Sequence, residues 1–354
     1  MKNCLGQSFG LLWRRLLKGA VVAVALLSIM GSGSLSPTFA QSRPFSLAIS
    51  AFPAGAPSLP FLVGMARPEL FARHGLELRE KDIVPSLGGG EVMRNLALGK
   101  LDFGVGSTVA AVSAFQAGVP IQVIGSYGGG SIMWIVPVSS PIRSLKDAKG
   151  KKIAITSPTG TTRAAAALAL QAIGLVGQAE LIVAGSASAS WAAVKRGAID
   201  IAWANNLSAT PLILSGEARS IGTISDYEPN FPDDFIIAGI PLIQKSPEVV
   251  RNFLKAYREI IDFIGKNPDV AVKVYAKAAK VDEAVARHAI SFINMKNFFD
   301  MDIKVDYLRT TQDAMRHTEL LKSQFGEWKE LINQEFLPAG VPRHTIPEKI
   351  PFGK

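Results

Sequence analysis

The chain has 354 residues, of which 48% are hydrophobic and one is cysteine. This length and apolar content can bury a large core, which excludes disordered and fibrous classes. The single cysteine excludes a disulfide framework, and the net charge of +9 would indicate nucleic-acid binding only if the basic residues clustered in the folded part.

The first forty residues have the layout of a secretory signal peptide. They contain four basic residues and no acidic one, an apolar run over 20–30, and small residues before Gln41. We predict a signal peptide over 1–40, removed by cleavage before Gln41. An uncleaved anchor is one alternative, and Arg14-Arg15-Leu16-Leu17-Lys18 leaves twin-arginine export open. The mature chain then keeps 34 basic and 29 acidic residues, a net charge of +5, and no cysteine, so we expect no nucleic-acid partner.

Short apolar runs alternate with helical patterns from residue 43 onward, which is typical of an α/β protein with largely parallel strands. The first series predicts strands over 45–50, 76–84, 101–105 and 121–126, and helices over 59–73, 91–98 and 107–116. Loops rich in proline, glycine and hydroxyl groups follow the first two strands, at 51–58 and 85–90.

A second series with the same alternation begins near residue 151. It predicts strands over 152–156, 181–184 and 199–203, and helices over 162–173 and 189–195. Segments 98–104 and 196–202 share the offset between a glycine and an aspartate. We infer two α/β lobes related by a weak internal duplication; chance similarity between βα units is the alternative.

Long amphipathic helices are predicted from Ser246 to about Gln324, followed by a proline-rich tail. Their apolar positions recur at helical spacing, and we expect them to form core rather than a groove for a partner. These positions are Val250, Phe253, Leu254, Tyr257, Ile260, Ile261 and Ile264.

The sequence offers little that could catalyse a reaction. It has no nucleophile-elbow or phosphate-loop motif, and Gly104-Val105-Gly106 lacks the third glycine of a dinucleotide fingerprint. The four histidines, His74, His288, His317 and His344, are not at metal-ligand spacing. The acid pairs Glu77/Glu80 and Asp233/Asp234 are expected to be solvated. We therefore expect no catalytic residue, metal or cofactor.

Several loops that follow strands have the composition of a binding site. In an α/β lobe such loops lie together at the carboxyl ends of the strands, and helix N-termini there suit anions. The best candidates are 159–162, Ser107-Thr108 and 85–90, with Phe52 and Trp203 at strand exits and Asn205 beside them. Ordinary caps, turns and core aromatics are the alternatives.

Four segments resemble one family. Residues 145–154 resemble the "sLkDLkGKkIAv" element of periplasmic substrate-binding proteins of ABC transporters, and 71–78 resemble an element of the nitrate/sulfonate/taurine branch, which includes pyrimidine-precursor binders. Residues 99–103 and 197–200 resemble the two "G.lD" elements of that branch. The resemblance covers about 45–265. One departure is that the family often shows a proline soon after the second "G.lD" element, whereas here Asn205-Asn206 intervene before Pro211.

The resemblance implies a two-lobe periplasmic binding protein fold of the type II kind, with a ligand cleft between lobes joined by a hinge. It places lobe 1 over 44–135, lobe 2 over 136–225, and a return to lobe 1 with C-terminal helices and tail over 226–354. The implied ligand-binding residues are Phe52, Ser58, Ser86, Gly89, Ser107, Thr108, Ser126, Tyr127, Thr159, Gly160, Thr161, Thr162, Trp203 and Asn205.

The resemblance also implies a function: a periplasmic, monomeric, non-enzymatic protein that captures a small molecule and delivers it to a membrane permease. A receptor for a sensor kinase is the alternative. An enzyme resembling the fungal pyrimidine synthase is disfavoured, because that chemistry depends on cysteines that the mature chain lacks. Arg163 and Glu91 are the main charges in the predicted cleft loops. We therefore expect a monoanion, such as a sulfonate, oxyanion or carboxylate, or a neutral pyrimidine.

Overall fold

The computed structural model describes residues 42–353 except 51, 54, 87 and 294–297. The predicted signal peptide over 1–40 lies outside the described residues. Among the residues that are described, no helix is long and apolar enough to cross a membrane.

The first lobe is built on a five-stranded sheet in the order β4-β2-β5-β12-β6. Strands β2, β4 and β5 are parallel, whereas β12 runs antiparallel to both of its neighbours. A short parallel pair, β1 and β3, lies beside it. The strands of this lobe are β1 Arg43–Pro44, β2 Leu47–Ser50, β3 Leu76–Glu77, β4 Ile83–Ser86, β5 Phe103–Ser107, β6 Ile121–Gly129 and β12 Pro232–Gly239.

The second lobe repeats this strand order. Strands β8 and β9 form a parallel pair, and β10-β7-β11 form an antiparallel sheet. The N–H of Ala154 donates to the carbonyl of Ile201 at 2.9 Å, which joins β8 to the start of β10. The order β9-β8-β10-β7-β11 therefore matches that of the first lobe, as expected for the predicted duplication. The strands are β7 Ile132–Pro137, β8 Lys152–Ile155, β9 Glu180–Val183, β10 Ala202–Asn205 and β11 Ala218–Thr223.

Two crossovers join the lobes. The chain enters the second lobe between β6 and β7, through Gly130 and Ser131, and returns between β11 and β12. Gly130 has a φ of +85°, and a Cβ there would lie 2.3 Å from the Ser225 hydroxyl of the other crossover. The boundary predicted at 135/136 falls inside β7, which pairs with second-lobe strands. We propose that the lobes meet at the crossovers instead.

Helices cover both sheets. Those in the first part of the chain are α1 Leu59–Ala66, α2 Glu69–Ala72, α3 Gly89–Ala97, α4 Thr108–Gln116, α5 Thr161–Ala172, α6 Ala187–Lys195 and α7 Asn206–Leu214. The C-terminal part adds α8 Ile240–Lys245, α9 Pro247–Lys266, α10 Pro268–Ala279, α11 Glu283–Ser291, α12 Val305–His317 and α13 Trp328–Leu331. Helix α12 packs on α5 and helix α11 on α7, so the C-terminal region predicted to return to lobe 1 also contacts the second lobe.

Helix α9 confirms the predicted core stripe, since all seven of its predicted apolar positions are buried. Phe253 stacks on Phe103 of β5, with ring centroids 3.9 Å apart and planes at 12°. Such aromatic contacts add to the burial of apolar area in holding the helix on the sheet.

Some predicted elements were wrong in extent. The helix predicted over 59–73 breaks into α1 and α2, because Pro68 disfavours helical backbone at Arg67 before it. The strand predicted over 76–84 is two short strands separated by a 3-10 turn over Glu80–Asp82. Strands β7, β11 and β12 were not predicted at all.

Candidate functional site

The carboxyl ends of β2, β4 and β5 face the second lobe beside the crossovers, where two adjoining pockets lie. The inner pocket has a volume of about 50 Å³. Its lining residues are Ser50, Pro57, Gly88, Gly89, Ser131, Ile132, Thr156, Thr161, Thr162, Trp203, Asn205, Asp233 and Asp234. The outer pocket, of about 320 Å³, is lined by Phe52, Pro53, Gly55, Pro85, Ser86, Glu91, Ser186, Ala187, Ser188, Trp203, Asn205 and Ser208.

Half of the predicted site residues line these pockets. Gly89, Thr161 and Thr162 line the inner pocket, Phe52 and Ser86 line the outer one, and Trp203 and Asn205 line both. Gly89 has a steric reason to be glycine, because a Cβ there would lie 2.3 Å from the Ser107 Cβ. The backbone at the start of α3 can therefore lie directly against β5.

The other predicted residues, Ser58, Ser107, Thr108, Ser126, Tyr127, Thr159 and Gly160, do not line either pocket. Two of them support the loops that do. The Tyr127 hydroxyl donates to the Pro57 carbonyl at 2.6 Å. The Ser107 hydroxyl donates to the Thr159 carbonyl at 3.0 Å, and it caps α4 by accepting the Ala110 N–H.

Of the remaining five, Thr159 is half-buried and accepts the Ser107 hydrogen bond through its carbonyl, and the other four are buried. Ser58, Thr108 and Ser126 are buried beneath the loops. Gly160 precedes α5, where a Cβ would lie 2.1 Å from the Thr156 hydroxyl. Thr108 and Gly160 belong to candidate loops that follow strands, but following a strand does not decide whether a side chain faces the cleft or the core.

The hydroxyls at the start of α5 bond to the protein itself. Thr161 Oγ1 donates to the carbonyl of Asp233 at 3.0 Å and lies 3.3 Å from Oδ1 of Asp234. Thr162 Oγ1 accepts the Thr156 N–H at 2.7 Å. Both hydroxyls had been expected to donate to an anionic ligand. The position that such an anion would take beside Thr161 is instead held by the carboxylate of Asp234.

Asp233 and Asp234 correct the prediction that this acid pair is solvated. They follow Pro232, the first residue of β12. Asp234 lies opposite both Ser107 of β5 and Tyr127 of β6, and the two acids are 3% and 5% exposed. Asp234 accepts hydrogen bonds from the hydroxyls of Ser50, at 3.1 Å, and Thr161. Because Ser50 belongs to the first lobe and Thr161 to the second, Asp234 bridges the lobes.

The Asp233 carboxylate is hydrogen-bonded through one of its two oxygens. Its Oδ2 accepts the Ser131 N–H at 3.0 Å, which ties the two crossovers together. Its Oδ1 is buried and has no hydrogen-bond partner. Burial raises the pKa of Asp233 to about 7, partly offset by the hydrogen bonds from Ser131, and burial raises the pKa of Asp234 to about 6. A buried, under-bonded acid in a pocket is a functional-site candidate.

Trp203 and Asn205 lie at the end of β10 and separate the two pockets. The indole Nε1 of Trp203 donates to the Gly185 carbonyl at 3.1 Å, which fixes the ring in the pocket wall. The Asn205 side chain accepts the Ser208 N–H at 3.0 Å and so caps α7. Asn205 is therefore a helix cap, which was one of the alternatives predicted for it, and it also lines both pockets.

The outer pocket is less polar than the inner one. Phe52, Pro53 and Pro85 form its apolar side, and Ser86 adds a buried hydroxyl without a hydrogen-bond partner. Glu91 is its one charged lining residue among those described. In the described part of the chain, no group of three or more His, Cys, Asp and Glu side chains is placed to hold a metal ion.

Two α/β lobes with matching strand order, joined by two crossovers beside a pocket, define the periplasmic binding protein fold. Solved structures of other proteins are similar in fold to this chain. The periplasmic aliphatic sulphonate binding protein SsuA of Escherichia coli has a TM-score of 0.67 at 16% identity, covering 88% of this chain and 98% of its own. The periplasmic nitrate-binding protein NrtA of Synechocystis PCC 6803 also has 0.67, at 13% identity, covering 84% and 87%.

A third similar structure is the ligand-binding component of an ABC-type import system from Staphylococcus aureus, solved with zinc bound. Its TM-score is 0.69 at 12% identity, covering 83% of this chain and 98% of its own. The chain itself belongs to the NMT1/THI5-like family, which it matches over residues 60–271. A comparison with curated proteins finds no significant match.

Proposed function

We propose that this protein is the solute-binding component of an ABC importer. It captures one small polar molecule in the pockets between the lobes and delivers it, unchanged, to a membrane permease. The observation that carries the proposal is the hydrogen-bonded set Ser50, Asp234 and Thr161, in which both lobes contribute to one pocket. A ligand that contacts this set favours the closed arrangement of the lobes.

The family match and the similar structures support a binding role, since the SsuA, NrtA and Staphylococcus aureus proteins are named for binding ligands. We further propose that residues 1–40 act as an export signal and that the mature chain works in the periplasm as a monomer.

The test is a thermal-shift screen of purified mature protein against pools of small metabolites, followed by mass analysis of the mixture. One compound should raise the melting temperature in proportion to the logarithm of its concentration and be recovered intact. Consumption of that compound would overturn the binding-protein proposal and indicate an enzyme.

A matched variant links the screen to the pocket. Trp203→Ala should abolish the shift, whereas Trp328→Ala, which alters a buried tryptophan outside both pockets, should lower the melting temperature of the free protein but keep the shift. A ligand whose shift survived Trp203→Ala unchanged would bind elsewhere.

A further inference from the structure

The described residues around the two pockets carry negative charge only. Asp233 and Asp234 line the inner pocket and Glu91 lines the outer one, and no Lys, Arg or His is among the described lining residues. Arg163, in the first turn of α5, directs its guanidinium to the backbone carbonyls of Pro158 and Thr318. Among these described lining residues, an anionic solute would therefore meet acidic side chains and no cationic one.

The acid pair also has unused acceptor positions. An ionised carboxylate offers about four acceptor sites. Asp233 uses Oδ2 for the Ser131 N–H while Oδ1 has no partner, and Asp234 accepts from Ser50 and Thr161. Burying an acceptor without a donor costs free energy. The pocket is therefore complementary to a ligand group that brings hydrogen-bond donors.

Within the solute-binding function proposed above, we propose that the solute is a small organic cation whose N–H groups donate to Asp233 and Asp234. The inner pocket, with a volume of about 50 Å³, holds the charged head of such a molecule. The outer pocket takes the rest of it, against Phe52, Pro53 and Trp203. An ammonium or amidinium head carries both the charge and the donors that the pair lacks.

Two of the helix ends at the cleft, those of α5 and α7, do not reverse this preference. A helix N-terminus is equivalent to roughly half a positive charge. At α5 the Thr161 hydroxyl already contacts the carboxylate of Asp234. At α7 the Asn205 side chain caps the first turn. At each of these two helix ends, a side chain of the protein already occupies the position that an anion could take.

A bare metal cation fits the inner pocket less well than an organic one. Structural and catalytic metal sites use three or more protein ligands as a rule. The described residues offer two carboxylates here and no group of three His, Cys, Asp or Glu. The Ser50 hydroxyl donates to Asp234, and the single proton of the Thr161 hydroxyl is shared between the Asp233 carbonyl and Asp234, so both protons point at protein acceptors.

Because the acid pair can be protonated, we expect cation binding to depend on pH. Burial raises the pKa values of Asp233 and Asp234, so a cation binds to the ionised pair and displaces its protons. Of the titratable groups on neighbouring elements, Tyr127 of β6 is buried with a raised pKa, Glu91 of α3 lines the outer pocket, and Arg163 of α5 bonds to carbonyls. Since the acid pair itself lines the inner pocket, a cation bound there senses the ionisation of these two carboxyls directly.

The test is calorimetric titration of the mature protein at pH 5.5 and pH 8. The probes are acetamidinium, benzamidinium and ethylammonium, with tetramethylammonium as a cation without N–H donors, ethanesulfonate and nitrate as anions, and Zn²⁺ and Ca²⁺ as metals. We expect the amidinium or ammonium probes to bind, with affinity roughly tenfold or more higher at pH 8, and the other probes to bind at least tenfold more weakly.

Variants connect the titration to the acid pair. Asp234→Asn should weaken the cation at least tenfold and reduce the pH dependence, whereas Asp269→Asn, an exposed acid of α10, should change neither. Circular dichroism melts of both variants check folding. If Asp234→Asn does not fold, Asp233→Asn carries the same expectation.

Three results would overturn the inference: preferential binding of an anion or a metal ion, affinity that falls as pH rises, or no binding of any N–H cation. Anion binding in the same pocket, abolished by Trp203→Ala, would leave the solute-binding function standing while removing the cation assignment. Turnover of a bound probe would instead remove the solute-binding function itself.

Discussion

Replacing Asp233 by asparagine should stabilise the ligand-free protein, and more so as pH rises. The folded state holds the Asp233 proton more tightly than the unfolded state, because burial raises the pKa from 3.8 to about 7. Stability from this residue is therefore present below pH 3.8 and is lost as pH rises to about 7. At 1.36 kcal/mol per pKa unit, this difference in proton affinity lowers the stability of the folded state, relative to its value below pH 3.8, by about 4 kcal/mol at pH 8 and about 2 kcal/mol at pH 5.

Asparagine cannot ionise, and its amide oxygen can still accept the Ser131 N–H. The advantage of Asp233→Asn over the wild type should therefore grow by about 2–3 kcal/mol between pH 5 and pH 8. Urea unfolding of refolded, ligand-free protein at both pH values measures this difference. Asp269→Asn, whose carboxylate is exposed and paired with Arg287, is the control and should show no such growth. An advantage of Asp233→Asn that is independent of pH, or a loss of its stability at pH 8, would contradict the raised pKa of Asp233.

Three further changes test the supports of the pocket. Thr161→Ala removes the donor that joins the second lobe to Asp234 and should weaken ligand binding by about 1–3 kcal/mol in calorimetry, whereas Thr161→Ser should keep the wild-type affinity. Equal affinities of Thr161→Ala and the wild type would show that this hydrogen bond does not support binding. Gly89→Ala forces a Cβ against Ser107 and should lower unfolding stability by about 1–3 kcal/mol in urea, unlike Gly265→Ala, whose Cβ has open space. Tyr127→Phe leaves the Pro57 carbonyl without its donor and should cost about 1–2 kcal/mol; a thermal melt unchanged from wild type would contradict this.

The lobes were predictable because local patterns specify them. Strands such as β2 and β8 are short apolar runs next to helical repeats, so their types and approximate places follow from neighbouring residues alone. The strands next to the crossovers, β7, β11 and β12, were not predictable in this way. β12 pairs with β5 and β6, more than a hundred residues away, and nothing in its local sequence identifies those partners.

The site was only partly predictable for the same reason. Loops after strands indicated Gly89, Thr161 and Trp203, which line the inner pocket, because parallel strands bring such loops together. The burial of the two acids in that pocket was not predicted, since Asp233 and Asp234 follow a proline and look like an exposed turn. The signal that could have found them is the apolar run Phe235–Ala238 directly after them, which indicates a buried strand beginning at the acids.

A crystal structure would show whether a cation binds between the lobes at Asp233 and Asp234. The mature protein should be crystallised at pH 8 with the tightest-binding amidinium or ammonium probe. We expect one intact molecule contacting both lobes, with its N–H groups within hydrogen-bond distance of Asp233 Oδ1 and of Asp234. An inner pocket filled by an anion, or a probe bound outside both pockets, would contradict it.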